Sequence, residues 1–195
     1  MGLGGRIYMS KYYKFGVFDN EMIETEYYYQ NNWTLEQYPN FERIVVAPKN
    51  NQIMLIQDIV KDFEPPYYIL YVLIVSRCEN ELGRYQCPYP LNNAEVNDFL
   101  DKFKDYFEKD GRHHIWIGSI KTKQLAVYDN HNLIYIYGDV SKNQKKLNDL
   151  GFIEGAVKIP APHSHRYNVE NDNYEIEIMN YWEWVKFPLC EQDTP

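Results

Sequence analysis

Residues 67–75 read YYILYVLIV, an almost unbroken run of apolar and β-forming side chains. Strands that are buried on both faces have such runs, whereas strands with one solvated face alternate between apolar and polar residues. We therefore predict that this run forms a central strand of a sheet. Pro65 and Pro66 come directly before it, and residues 77–92, rich in Gly, Pro and Cys, are predicted to form a loop after it.

Helical periodicity is found on both sides of this strand. Before it, apolar residues recur at helical spacing over residues 53–63. After it, residues 93–109 show the same spacing, and Asn92 with Glu95 resembles a capping box. Two further helices are predicted at 141–150 and 172–186.

The remaining predicted strands are joined by short connections. Strands at 113–120, 124–128 and 133–138 are so close in sequence that neighbours must pair antiparallel. Further strands are predicted at 44–47 and 153–159, with an N-terminal hairpin at 11–18 and 22–29 and a loop or short helix at 33–41.

These elements predict an α+β fold with an antiparallel-dominated sheet and flanking helices. From residue 67 the order is β-α-β-β-β-α-β, with the N-terminal hairpin added to it. If residues 124–138 form one long bent strand, the order becomes that of a ferredoxin-like variant. No repeat or linker-like stretch interrupts the chain, so we predict one domain over residues 1–195, with residues 1–10 flexible.

Acidic residues outnumber basic ones by 28 to 20, which gives a net charge of −8. Because the sequence has no basic stripe, nucleic acid is not a predicted partner. An anionic membrane surface would also repel the chain. The charge suits a basic protein partner, although solubility alone also accounts for it.

Aromatic residues make up 16% of the chain, with 19 Tyr, 9 Phe and 4 Trp. Tyrosine suits both sheet faces and binding interfaces, so a tyrosine-rich sheet surface and a recognition surface are both open interpretations. For a recognition surface, the predicted partner-binding residues are Glu24, Glu26, Tyr27, Tyr28, Tyr29 and Trp33.

The five histidines are the first candidates for chemistry. Alternate residues of a strand share a face, so His114 is expected to point with Trp116, and His163 with His165 if the chain stays extended there. We predict a candidate polar pocket formed from Arg84, Arg112, His113, His163 and His165.

A metal site of two or three imidazoles is an alternative for these histidines. No HExxH or CxxC motif supports it, so we assign no metal and no cofactor, and the catalytic residues stay unknown. Phosphate-binding loops and a nucleophile elbow are also absent from the sequence. Arg112 fits a carboxylate or phosphate ligand, but equally an ion pair with Glu108 or Asp110.

The cysteines Cys78, Cys87 and Cys190 are odd in number and widely spaced, unlike a disulfide framework. We therefore predict reduced thiols and a cytoplasmic protein. Whether Cys78 and Cys87 pair stays open. The first residues lack the apolar stretch of a signal peptide.

Four segments resemble bacterial proteins that have no assigned function: GRYQCPYP (83–90), DGRHHIWIGS (110–119), VYDNHNLIYIYG (127–138) and IPAPHSHRY (159–167). The resemblance covers roughly residues 44–187 and implies a bacterial source. It implies no activity, cofactor or residue role.

From these features we predict a non-enzymatic binding protein, such as a bacterial immunity protein that neutralises a toxin. It would bind a basic protein partner through an acidic, tyrosine-rich surface. Two alternatives stay open: a histidine-based enzyme or metal-binding domain, and a small-molecule sensor with an aromatic-lined pocket.

Overall fold

A computed structural model describes residues 12–193 and shows an α+β fold. The prediction that residues 1–10 are flexible lies outside the described residues. The described strands are β1 (Phe15–Phe18), β2 (Glu24–Glu26), β3 (Asn32–Gln37), β4 (Glu42–Ala47), β5 (Tyr67–Leu73), β6 (Gly83–Gln86), β7 (His113–Ser119), β8 (Gln124–Tyr128), β9 (Ile134–Tyr137), β10 (Ile153–Glu154), β11 (His163–His165) and β12 (Val185–Phe187). The α-helices are α1 (Gln52–Val60), α2 (Asn93–Lys102), α3 (Lys104–Lys109), α4 (Val140–Asp149) and α5 (Asp172–Met179). Within this part of the chain, no helix is long and apolar enough to cross a membrane.

The strands form two mostly antiparallel sheets. The larger sheet has nine strands in the order β10-β3-β4-β9-β8-β7-β5-β6-β12, and the smaller has three in the order β11-β1-β2. Strand β5 lies between β7 and β6, with Tyr71 opposite both Ile115 and Tyr85. The strand predicted at residues 67–75 is therefore found over residues 67–73, in the interior of the sheet.

The helices pack against one face of the nine-stranded sheet. Ile56 of α1, Phe99 of α2 and Leu147 of α4 share a buried cluster with sheet residues such as Ile69 and Ile117. This arrangement confirms the predicted α+β fold with an antiparallel-dominated sheet and flanking helices.

The opposite face of the nine-stranded sheet is covered in part by the three-stranded sheet. Phe15 of β1 packs with Val45 and Ala47 of β4, and with Leu133, in a second buried cluster. The same face carries a cleft of about 370 Å³ whose lining includes Trp116.

Four short strands were not predicted: β3, β6, β11 and β12. Residues 77–92 are not wholly loop, because β6 pairs with β5 and β12 there, and residues 33–41 contain most of β3, which pairs with β4. Neither segment has a long apolar run, so its strand conformation depends on neighbours that local sequence does not reveal. The ferredoxin-like alternative is not found, because β8 and β9 are separate strands joined by a tight turn.

Some predicted elements are shorter than expected. The helix at 93–109 divides at Phe103, whose φ of −104° and ψ of 12° interrupt it. The helix at 172–186 ends at Met179, because the aromatic residues that continued its pattern pack against the core from a turn. The strand at 153–159 keeps only the two residues of β10.

Candidate metal centre

Two histidines of the candidate site lie on β11. This strand pairs antiparallel with β1, and the register places His165 opposite Phe15 and His163 opposite Val17. Because side chains alternate along a strand, both imidazoles lie on one side. Ser164 lies on the other side, where its hydroxyl donates to Glu24. The expected common face of His163 and His165 is confirmed.

A third histidine, His131, comes from the turn between β8 and β9. The Asp129 carboxylate shapes this turn, since its Oδ1 accepts from the backbone amides of His131 and Leu133, both at 2.9 Å. Asn132 completes the turn with a φ of +63°, a left-handed conformation that asparagine tolerates better than most residues. The turn holds the His131 ring beside β11.

The three imidazoles face one another. Ring centroids are 4.7 Å apart for His131 and His165, and 5.3 Å apart for the other two pairs. One ring nitrogen from each histidine lies within 4.8 Å of the others. The fully buried ring of Phe15 packs against all three, with centroids 5.4–5.6 Å away, and forms an apolar wall behind them.

Each Nδ1 of this triad is adjacent to an oxygen atom. Nδ1 of His163 donates to the Pro160 carbonyl at 2.8 Å, and Nδ1 of His165 to the Asn130 carbonyl at 3.1 Å. Nδ1 of His131 lies 3.1 Å from Asp129 Oδ2. A carbonyl oxygen can only accept, so Nδ1 carries the proton and Nε2 keeps its lone pair. Metal-binding histidines have this arrangement, with the second nitrogen held by a carbonyl or carboxylate.

The electrostatics of the triad keep its ligand atoms available. Burial, followed by repulsion from His131 and His163, lowers the pKa of His165 to about 4, so this ring is neutral at pH 7. Its Nε2 is buried and has no hydrogen-bond partner among the described residues. Burial raises the pKa of Asp129, but hydrogen bonds that include His131 and Leu133 outweigh it and leave this pKa below its usual range.

Tetrahedral zinc holds its nitrogen ligands at about 2.0–2.1 Å, which places them about 3.4 Å from one another. The spacing of up to 4.8 Å in the triad is wider. Binding of zinc would therefore draw the three nitrogens closer together.

The cleft adjoins the triad on the sheet face opposite the helices. His131 and Asp129 line it, together with His114 and Trp116 of β7. The prediction that His114 and Trp116 point to the same face is thus confirmed. Arg84 packs over the Trp116 ring with its guanidinium carbon 5.1 Å from the centroid.

Of the five residues predicted for a polar pocket, the structure brings only His163 and His165 into direct contact. Arg84 reaches the cleft through Asp193, which accepts from its Nε at 2.7 Å and its Nη2 at 2.8 Å. His113 lies on the opposite, helix-covered face, with its ring centroid 4.4 Å from that of Tyr106. The predicted pocket is therefore not one site.

Arg112 also lies away from the triad, in a buried ionic cluster. Asp110 accepts from its Nε at 2.8 Å and its Nη2 at 3.0 Å, and Glu175 accepts from its Nη1 at 2.5 Å. Asp172 and the Asn168 carbonyl take further bonds at 3.1 and 2.8 Å. The alternative of an ion pair with Asp110 is the one that the structure shows, since these partners use the guanidinium fully.

The hairpin surface predicted for a protein partner is only partly exposed. Tyr29 and Trp33 are 4% and 2% exposed and belong to the buried clusters, so neither is available at the surface. Glu24 is paired with Arg166. Tyr28 is 42% exposed, and its hydroxyl donates to Glu26 at 2.5 Å.

All three cysteines are free thiols, so Cys78 and Cys87 do not pair. Burial raises the pKa of both of these thiols, and the carboxylates near Cys78 raise its pKa further. A raised thiol pKa lowers the thiolate fraction, which disfavours nucleophilic chemistry at either residue.

The sequence pattern indicated two members of the triad but not His131. A signal that could have indicated it is the turn sequence Asp129-Asn130-His131, because a carboxylate two residues before a histidine can orient its ring. Comparisons with protein-family models, with curated proteins and with solved structures found no match. The geometry of the site therefore carries the functional proposal.

Proposed function

We propose that this protein is a metal-binding domain in which His131, His163 and His165 hold a Zn²⁺ ion. The observation that carries the proposal is the convergence of three imidazoles whose Nδ1 atoms are all held by oxygens. The proposal develops the histidine-based alternative from the sequence and departs from the assignment of no metal. It does so because the fold adds His131 to the pair on β11.

The donor set favours zinc over the hard cations. Ca²⁺ and Mg²⁺ take oxygen ligands, whereas imidazole nitrogens suit Zn²⁺ and other late transition metals. Three protein ligands with a free fourth position are typical of catalytic rather than structural zinc sites. The cleft that His131 lines lies beside the triad. When bound there, the ion would supply Lewis acidity and an activated water.

The first prediction is that purified full-length protein without an affinity tag binds one Zn²⁺ per chain. At a zinc concentration 100 times the Kd, binding stabilises the fold by about 2.7 kcal/mol. For a chain of this size that free energy raises Tm by about 5–10 °C. Isothermal titration calorimetry gives the stoichiometry, and thermal unfolding with and without a chelator gives the shift.

A matched control separates the histidines from the thiols, which also bind zinc. The Cys78→Ser, Cys190→Ser double variant changes the two cysteines that are not fully buried. It should keep both the stoichiometry and the Tm shift. Zinc binding that disappears in this variant, or the absence of saturable binding to the wild type, would contradict the proposal.

The binding-protein function is a second candidate, supported by what is exposed on the hairpin. Met22 and Ile23, in the turn of the hairpin, are 68% and 54% exposed, and Tyr28, which follows β2, is 42% exposed. Glu21 precedes Met22 in the chain. Exposed apolar side chains on an acidic protein suit a basic protein partner. This function is independent of the triad.

We expect a basic protein captured by the wild type to be lost from a Tyr28→Ser, Met22→Ser variant. Its release from the wild type should also need high salt, because complementary charge is screened. Pull-down from native bacterial lysate followed by mass spectrometry measures both effects. Equal capture by the wild type and the variant would argue against this surface.

A further inference from the structure

Three side chains that line the cleft carry buried nitrogens without a hydrogen-bond partner in residues 12–193. They are His114 Nε2, Trp116 Nε1 and Asn130 Nδ2. His114 and Asn130 are only 8% and 2% exposed. Leaving a buried polar group unpaired costs about 1–3 kcal/mol, and three in one cleft are more typical of a binding site than of a packed core.

The chemistry of these nitrogens defines the complementary ligand. The indole Nε1–H and the amide Nδ2–H can only donate, and His114 Nε2 can donate in one tautomer. The group that satisfies them is therefore an acceptor oxygen. A carboxylate offers two such oxygens and makes stronger hydrogen bonds than a neutral carbonyl does.

The acidic residues of the cleft do not occupy its unpaired donors. Asp129 and Asp193 line the cleft, but their oxygens are already bound, the first by the turn and Tyr135 and the second by Arg84. The guanidinium of Arg43 lies over the Tyr135 ring, 4.5 Å from its centroid, and is paired with Glu36 at 2.7 Å. A divalent ion at the neighbouring triad would add two positive charges, and for this contribution the inference rests on the proposed function.

The rest of the cleft fits a flat apolar body. Val127, Tyr135, Tyr137 and Ile159 line it alongside the Trp116 ring. Its volume of about 370 Å³ lies at the lower end of the range for small-molecule sites. We propose that the cleft binds a small aromatic carboxylate, whose carboxylate oxygens accept from Trp116 and Asn130 next to the metal centre.

Benzoate is the probe, and isothermal titration into the zinc-loaded full chain is the measurement. We expect benzoate to bind and benzylamine, which has the same ring but a cationic donor, not to bind. Trp116→Phe keeps the ring but removes the N–H. It should weaken benzoate binding at least about tenfold, since a hydrogen bond to a charged group contributes about 1.5–3 kcal/mol. Trp182→Phe, which changes a tryptophan outside the cleft, should leave it unchanged.

Zinc stoichiometry measured on each sample keeps the two proposals apart. If zinc binds but benzoate does not, or if Trp116→Phe binds benzoate as well as the wild type does, the carboxylate site is overturned and the metal centre stands. If zinc does not bind, the same titration is made on the metal-free chain. Benzoate binding that depends on Trp116 would then support the carboxylate site alone, and its absence would overturn it.

Discussion

The Arg112→Met variant should lose about 3–5 kcal/mol of its free energy of unfolding, the largest stability effect we expect from one substitution. Arg112, Asp110 and Glu175 are all fully buried, and the guanidinium is bound by both carboxylates. Methionine fills much of the same volume but leaves two carboxylates without their shared cation. Urea unfolding at pH 7, followed by circular dichroism with an unchanged m value, measures the loss.

The pH dependence of this loss gives a second readout. In the wild type, burial raises the pKa of Glu175, but bonds from Ser76, Asn80 and Arg112 outweigh it and lower the pKa overall. A lowered carboxyl pKa gives stability that is present above the unfolded pKa and is lost as pH falls through the folded one. Without Arg112, one of the bonds that lower the pKa of Glu175 is lost, so this pKa should rise. The deficit of the variant should therefore shrink as the pH is lowered from 7 towards 5.

The matched control is Arg77→Met. Arg77 binds Asp172 at 3.0 Å, beside the same cluster, but its side chain is 38% exposed. A half-exposed ion pair of this kind contributes about 0–1 kcal/mol, so the same substitution should have a small effect. Equal losses for Arg77→Met and Arg112→Met would show that burial of the charges does not determine the loss in free energy of unfolding.

Local patterns in the sequence predicted those parts of the structure that depend on a single strand or helix. Strand alternation placed His163 with His165 and His114 with Trp116, because the side-chain period of a strand is fixed by its backbone. Capping chemistry placed the start of α2, where the Asn92 side chain accepts from the amides of Ala94 and Glu95.

The rest of the site depends on pairings between distant segments, which local periodicity cannot show. His131 meets β11 only because β11 pairs with β1, from near the other end of the chain. Arg112 was grouped with the histidines because it precedes His113 in sequence, yet its partners Asp172 and Glu175 come from α5. Trp33 reads as a surface aromatic because strand β3 was not recognised, and Tyr29 does because it is buried by residues of the distant strands β1 and β4.

The second large effect concerns zinc itself, and the informative substitution is His165→Phe. Phenylalanine retains a flat ring against Phe15 and removes an Nε2 that is buried without a partner. It also removes the bond to the Asn130 carbonyl, so the metal-free fold should change by no more than about 1 kcal/mol. Loss of a residue that only orients a metal ligand typically lowers metal affinity about 10–100-fold. Loss of the ligand itself should lower zinc affinity by more than that.

His113→Phe is the matched control for this variant, because it makes the same change at another buried histidine with unpartnered nitrogens, on the opposite face of the sheet. Calorimetry should show full zinc binding in His113→Phe and little in His165→Phe, while chelator-treated samples of both unfold much like the wild type. A triad that merely packs Phe15 predicts no difference between the variants, since zinc would then bind both equally or neither. Retained zinc binding in His165→Phe would therefore contradict a metal centre between β11 and the turn at His131.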